Sequence, residues 1–160
     1  MALFMICAYV GYSKPSGIKR RVIALEELEG DIRRLDMLME HRKLPIEQLI
    51  AGLDSPLWEE VSRLMKSRDT SLFNAWMAAL ELMTEDGRLR CLNGGDMAVL
   101  TDFGDALGVS DTSAQASNAA LAIKRLKERR EAAAMELLKK QRLFRSLGVL
   151  GGAAAALMVI

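Results

Sequence analysis

The stretch Leu100–Gln115 reads LTDFGDALGVSDTSAQ, and how it folds decides the fold of the chain. Leu100, Phe103, Ala106 and Leu107 share one face at helical spacing. Gly108 is placed to end that helix in a left-handed C-cap, and Ser110 or Asp111 to cap the next one. The triplet Asp102-Phe103-Gly104 also matches the magnesium motif of protein kinases. A kinase needs two lobes, a glycine-rich loop, a strand-borne lysine and a catalytic-loop aspartate. A chain of 160 residues has the size of one domain, and nothing in it resembles those parts. The stretch therefore predicts a helix-turn-helix junction rather than a site for phosphoryl transfer.

Working outward, the same period recurs with clear punctuation. From Ile18 to about Glu40, apolar residues at Val22, Leu25, Leu28, Ile32, Leu35 and Leu38 or Met39 predict an amphipathic helix. Pro45 opens a short second helix carrying Ile46, Leu49 and Ile50 that ends near Gly52. Ser55 as N-cap and Pro56 as first residue start a third, through Trp58, Val61, Leu64 and Met65. Asp69, Thr70 and Ser71 offer caps for a fourth, in which Leu72, Trp76, Ala79, Leu80 and Met83 align before Glu85-Asp86-Gly87 stops it. Asn93-Gly94-Gly95 precedes the fifth, and a sixth runs from about Thr112 to Arg145, about 50 Å at 1.5 Å per residue, and into the tail. Hydrophobic residues make up 51% and aromatics 5%, a balance that suits Ala, Leu and Met helices better than sheets. The predicted fold is all-α, a bundle of about six helices.

Charge is informative only locally. Twenty-two Lys and Arg against 21 Asp and Glu leave +1, so no global field steers the chain toward nucleic acid or an acidic substrate. The ends carry no charged side chain over residues 1–13 and 147–160. These runs are shorter than the roughly 20 residues of an upright membrane span, but basic clusters flank both. Lys14, Lys19, Arg20 and Arg21 follow the first; Lys139, Lys140, Arg142 and Arg145 precede the second. If both runs insert, the positive-inside rule puts the part between them in the cytoplasm. Gly148 and Gly152 form a GxxxG in the tail, a stripe on which membrane helices approach closely. The expected organisation is a membrane segment over 1–13, a linker over 14–17, a cytoplasmic helical bundle over 18–146 and a membrane segment over 147–160.

Candidate chemistry is thin. Cys7 and Cys91 belong to no CxxC or Cys/His cluster, and His41, the single histidine, reads as an exposed helix-end residue. Asp96, Asp102, Asp105 and Asp111 cluster in sequence, but Asp102 and Asp105 lie on a surface stripe, and Asp96 and Asp111 sit where acidic groups favour helix starts. A metal-dependent hydrolase would need a cation at Asp96, Asp102 or Asp111. The run Lys124–Glu131, KRLKERRE, is the best basic patch, yet it lacks aromatic stacking partners and reads as a solvated face with intrahelical pairs. Neither a cofactor nor nucleic-acid binding is expected. The competing interpretation is a soluble regulatory or nucleic-acid-binding helical protein whose apolar ends join its core.

The series Ser71, Ala75-Trp76, Asp96, Leu100, Phe103-Gly104, Leu107-Gly108, Ser110-Asp111 and Gln115, followed by a long helix and then Phe144, Leu147-Gly148 and Gly151, resembles the stage III sporulation protein AB family. LxxFGxxLGxSDxxxQ is its most specific part; LEELEGDI and LPIEQLI match more loosely. The resemblance implies an all-α domain similar to the cytoplasmic domains of type II secretion F and pilus platform proteins. It also implies a non-enzymatic component of the channel apparatus between mother cell and forespore. Its implied partners are the cytosolic secretion-type ATPase and neighbouring membrane components, and its implied place is the cell membrane, with the domain in the mother-cell cytoplasm. Trp76, Leu100, Phe103, Gly104, Leu107 and Gly108 match as core and turn. Asp96, Asp111 and Gln115 match as polar positions for capping or partner binding. The chain departs from the family pattern in its short first segment and its Ala-rich tail.

Overall fold

A computed structural model describes the backbone of residues 2–41, 44–68, 70–109 and 112–157, and the side chains of 17–41, 44–67, 70–107 and 115–143. Six helices follow in order: α1 (Ala2–His41), α2 (Ile46–Ile50), α3 (Pro56–Arg68), α4 (Leu72–Glu85), α5 (Gly94–Val109) and α6 (Thr112–Leu157). The described residues contain no strand. Each helix packs on its neighbours in the chain, and α6 returns to close the circuit on α1.

The long pair α1 and α6 carries the architecture. Leu25, Leu28, Ile32, Leu35 and Met39 of α1 are buried, as are Ala119, Ala122, Leu126 and Ala133 of α6. Both sets follow the alternating three- and four-residue spacing of a coiled-coil seam. Large aliphatics on α1 face mostly alanines on α6, so the two axes can run close. Glu29 pairs with Arg130, and Arg21 lies near enough to Glu136 for the two to interact electrostatically. Low numbers on α1 thus meet high numbers on α6, and the pair is antiparallel.

The short helices fill the remaining side. Leu49 and Ile50 of α2, Leu57, Trp58, Val61 and Leu64 of α3, Leu72, Ala75, Trp76, Ala79, Leu80 and Met83 of α4, and Val99, Leu100, Phe103 and Leu107 of α5 join one core with the α1–α6 seam. Ser71 caps α4, accepting from the Asn74 N–H at 3.3 Å. Gly87, with φ 93°, follows the end of that helix in the left-handed region that glycine adopts without strain.

Two expectations are corrected. Lys14–Gly17 is not a break, because α1 runs unbroken from Ala2 through it. Pro15 removes one backbone hydrogen bond, which does not terminate a helix whose turns form on both sides. Gly108 does not end α5 either, since the helix continues to Val109. The Gln115 amide donates to the Leu107 carbonyl at 3.3 Å, so a side chain from α6 satisfies a carbonyl in the last turn of α5.

No helix of the described residues is long and apolar enough to cross a membrane. The side chains of 1–13 and 147–160, including the Gly148 and Gly152 stripe, lie outside the described residues, as does Asp111.

Candidate functional site

The motif residues come together at the junction of α4, α5 and α6. Trp76 of α4 is fully buried and stacks at 5.0 Å, tilted 37°, on Trp58 of α3. On its other side the Phe103 ring meets it edge-on at 5.5 Å and 72°, the geometry aromatic quadrupoles favour. The Trp76 indole N–H donates to the Leu100 carbonyl at 2.8 Å. Gly104 makes that approach possible: a Cβ there would collide with Cδ1 and lie 2.7 Å from Nε1 of the indole. The Phe-Gly pair is thus a socket for a tryptophan, with Leu100 and Leu107 buried on the same face of α5.

The second cluster is polar. Asn93 and Asp96 form a reciprocal capping box at the start of α5: the Asp96 N–H donates to Asn93 Oδ1 at 3.0 Å, and the Asn93 N–H to Asp96 Oδ2 at 3.0 Å. Arg21 of α1 grips the same carboxylate with Nε at 2.7 Å and Nη2 at 2.9 Å. Arg129 of α6 donates its Nε to Oδ1 at 2.7 Å. The Asp96 side chain is 0% exposed. Gly95 leaves room for this grip, because a Cβ there would overlap the Arg129 guanidinium. Arg21 and Arg129 lie where the α1 and α6 seams, continued by four and three residues from Leu25 and Leu126, would call for apolar residues. The seam is interrupted by a polar layer that fixes α5 to both long helices.

Burial pushes the Asp96 carboxyl up, but the hydrogen bonds from Arg21, the Asn93 N–H and Arg129 outweigh it and hold the group below the usual carboxylate range. The same contact raises Arg21. A smaller buried polar pair lies at the start of α3, where the Ser55 hydroxyl donates to Asp31 at 2.6 Å. There desolvation dominates and raises the Asp31 carboxyl.

Of the polar positions offered for capping or partner binding, Asp96 and Gln115 are engaged inside the chain, as caps of the two ends of α5. Asp102 pairs with Arg125 at 3.0 Å on the surface, and Asp105 is exposed. Asp96, Asp102 and Asp105 therefore do not converge. The KRLKERRE run differs from expectation: Lys127 faces Glu131 within α6 at 4.0 Å, but Arg125, Arg129 and Arg130 reach Asp102, Asp96 and Glu29 on other helices. Cys91 is half-buried, and desolvation raises its thiol. His41 is exposed at the end of α1, its ring nitrogen 2.9 Å from the Met37 carbonyl.

The tryptophan socket and the Arg21-Asp96-Arg129 layer, with its buried carboxylate, thus tie the antiparallel α1–α6 hairpin to the four shorter helices. The family model described as stage III sporulation protein AB matches residues 1–160. The chain belongs to that family, and its role lies in sporulation. A solved structure of stage III sporulation protein AB (SpoIIIAB) is similar over 74% of this chain and 97% of its own, at 20% identity and a TM-score of 0.60. At that identity the likeness shows a shared fold. No curated protein sequence matches the chain.

Proposed function

We propose that this protein is a non-enzymatic, membrane-anchored component of the channel apparatus between mother cell and forespore, and that its helical bundle is a platform for the cytosolic secretion-type ATPase of that apparatus. The observation that carries this reading is the antiparallel pairing of α1 and α6. It directs the N-terminal end of one helix and the C-terminal end of the other to the same end of the hairpin, so that two apolar termini can serve as paired anchors on one side of the domain. Family membership supports the sporulation context. The motif residues support a structural role, because Trp76, Phe103, Asp96 and Gln115 bond to other parts of the same chain.

The ATPase partnership is tested by photocrosslinking in sporulating cells, with the reactive group placed singly at exposed positions Glu81 of α4 and Asp105 of α5. The platform role predicts an adduct between this chain and that ATPase from at least one face. Adducts from neither position, with the chain assembled in the membrane, would overturn the partnership.

A further inference from the structure

The antiparallel register sorts charge along the molecule. Residues 1–25 and 137–160 hold eight of the 22 Lys and Arg and no Asp or Glu; residues 26–136 hold the other 14 against all 21 acidic residues, a net charge of −7. Because Glu29 of α1 pairs with Arg130 of α6 in the antiparallel hairpin, stepping back along α1 and forward along α6 by the same distance brings Lys19 and Arg20 beside the stretch of α6 that carries Lys139. All three are exposed, as is Arg142. Glu136, the last acidic residue, is engaged by Lys140 at 2.8 Å.

Large apolar side chains are exposed among these cations: Ile23 at 44%, Met135 at 58% and Leu138 at 54%. On α6, Met135, Leu138, Lys139 and Arg142 follow at i, i+3, i+4 and i+7 and share one outward face. On α1, Lys19 and Ile23 are one turn apart. Cations ringing one end of a helical hairpin suit a phospholipid headgroup layer, where each meets a phosphate, while Ile23, Met135 and Leu138 lie on the domain side of them. The acidic remainder is repelled from such a surface, which favours an end-on orientation.

We infer that this end of the hairpin is a collar that seats on an acidic-phospholipid surface through Lys19, Arg20, Lys139 and Arg142. The inference deepens the anchored reading and takes its orientation from it.

The test uses the full chain with Cys7→Ser, Cys91→Ser and Gln141→Cys, the new thiol at this exposed position between Lys139 and Arg142 carrying an environment-sensitive fluorophore. It is reconstituted with vesicles of phosphatidylcholine alone or mixed with phosphatidylglycerol, and quenching by brominated lipid is recorded. The collar predicts stronger quenching in the acidic vesicles, reversed at about 1 M salt, where the screening length falls to about 3 Å. In K19Q/R20Q/K139Q/R142Q, preference for acidic lipid should fall on the order of six-hundredfold, at roughly fivefold per cation. Equal quenching in both vesicles, unchanged by salt or by the variant, overturns the collar and leaves the terminal anchors standing. Salt-sensitive attachment to acidic vesicles alone supports the collar and overturns terminal insertion. Attachment to neither overturns both. The salt titration reads the wild-type charge set, so it decides the matter if the variant does not fold.

Discussion

At the scale of single residues, two glycines on one helix make opposite predictions. Gly104 touches the Trp76 indole where a Cβ would go, whereas Gly94 has nothing within 4 Å of that position. Gly104→Ala should cost about 2 kcal/mol, the overpacking range, and Gly94→Ala should be neutral or stabilising by about 0.5 kcal/mol through the unfolded state. Urea denaturation of the two variants checks both. Asp96→Asn should be costlier, about 3 kcal/mol at neutral pH, because it leaves two guanidinium groups without their counter-charge. Its pH dependence follows in sign. The folded carboxyl titrates below its unfolded value of about 3.9, so the stabilisation is complete above that value and is lost as pH falls through the folded one. The gap between wild type and Asp96→Asn should narrow below about pH 4. Asp31, raised by burial, contributes the opposite slope, favouring the fold as pH falls through its raised folded value, and Asp31→Asn should remove that slope. Trp76, Leu100, Phe103, Gly104 and Leu107 stand out in the sequence by spacing and by resemblance, but their meeting as a socket across α4 and α5 depends on a helix pairing that spacing does not show. Arg21 and Arg129 were not recognised as partners of Asp96. Arg21 sits in a basic cluster that reads as the flank of a membrane segment and Arg129 in a run that reads as a solvated face, and the clue lay in the seams, which place both residues on the side facing the partner helix.

At the scale of elements, periodicity gave all six helices, because burial of a stripe at helical spacing is a local property of the sequence. What it missed were interruptions and pairings. Lys14-Pro15-Ser16-Gly17 reads as a linker by local propensity and is helical in the structure, since a helix is cooperative and one missing hydrogen bond does not end it. Gly108 reads as a terminator because glycine commonly ends helices, and the Gln115 amide reaching Leu107 could not be seen without the path of the turn. The alanine side of the α1–α6 seam makes a sharp prediction. Ala122 is buried while Leu121 beside it is 46% exposed. Ala122→Leu should force the long helices apart at a cost of about 2 kcal/mol, and Leu121→Ala should stay within about 0.5 kcal/mol. Thermal unfolding followed by circular dichroism would separate the two. Equal effects would mean that α1 and α6 do not pack closely at that level.

At the scale of the whole molecule, the fold is a hairpin of two long helices braced by four short ones, with a polar layer locking α5 to both. This arrangement explains why a chain with so little candidate chemistry has a specific motif. The motif sets the position of α5, and α5 sets the register of the two helices whose far ends are apolar. The proposed function requires those ends to anchor the bundle on the cytoplasmic side of a membrane. The half-buried Cys91, with its raised thiol, is a slow reporter of that topology; exposed Asp105 is a better place for one. The deciding measurement is fractionation of sporulating cells carrying Cys7→Ser, Cys91→Ser and Asp105→Cys, with labelling by a membrane-impermeant maleimide before and after permeabilisation. Paired terminal anchors predict recovery in the membrane fraction with labelling only after permeabilisation. Labelling in intact cells, or recovery in the soluble fraction, would contradict the proposed anchoring.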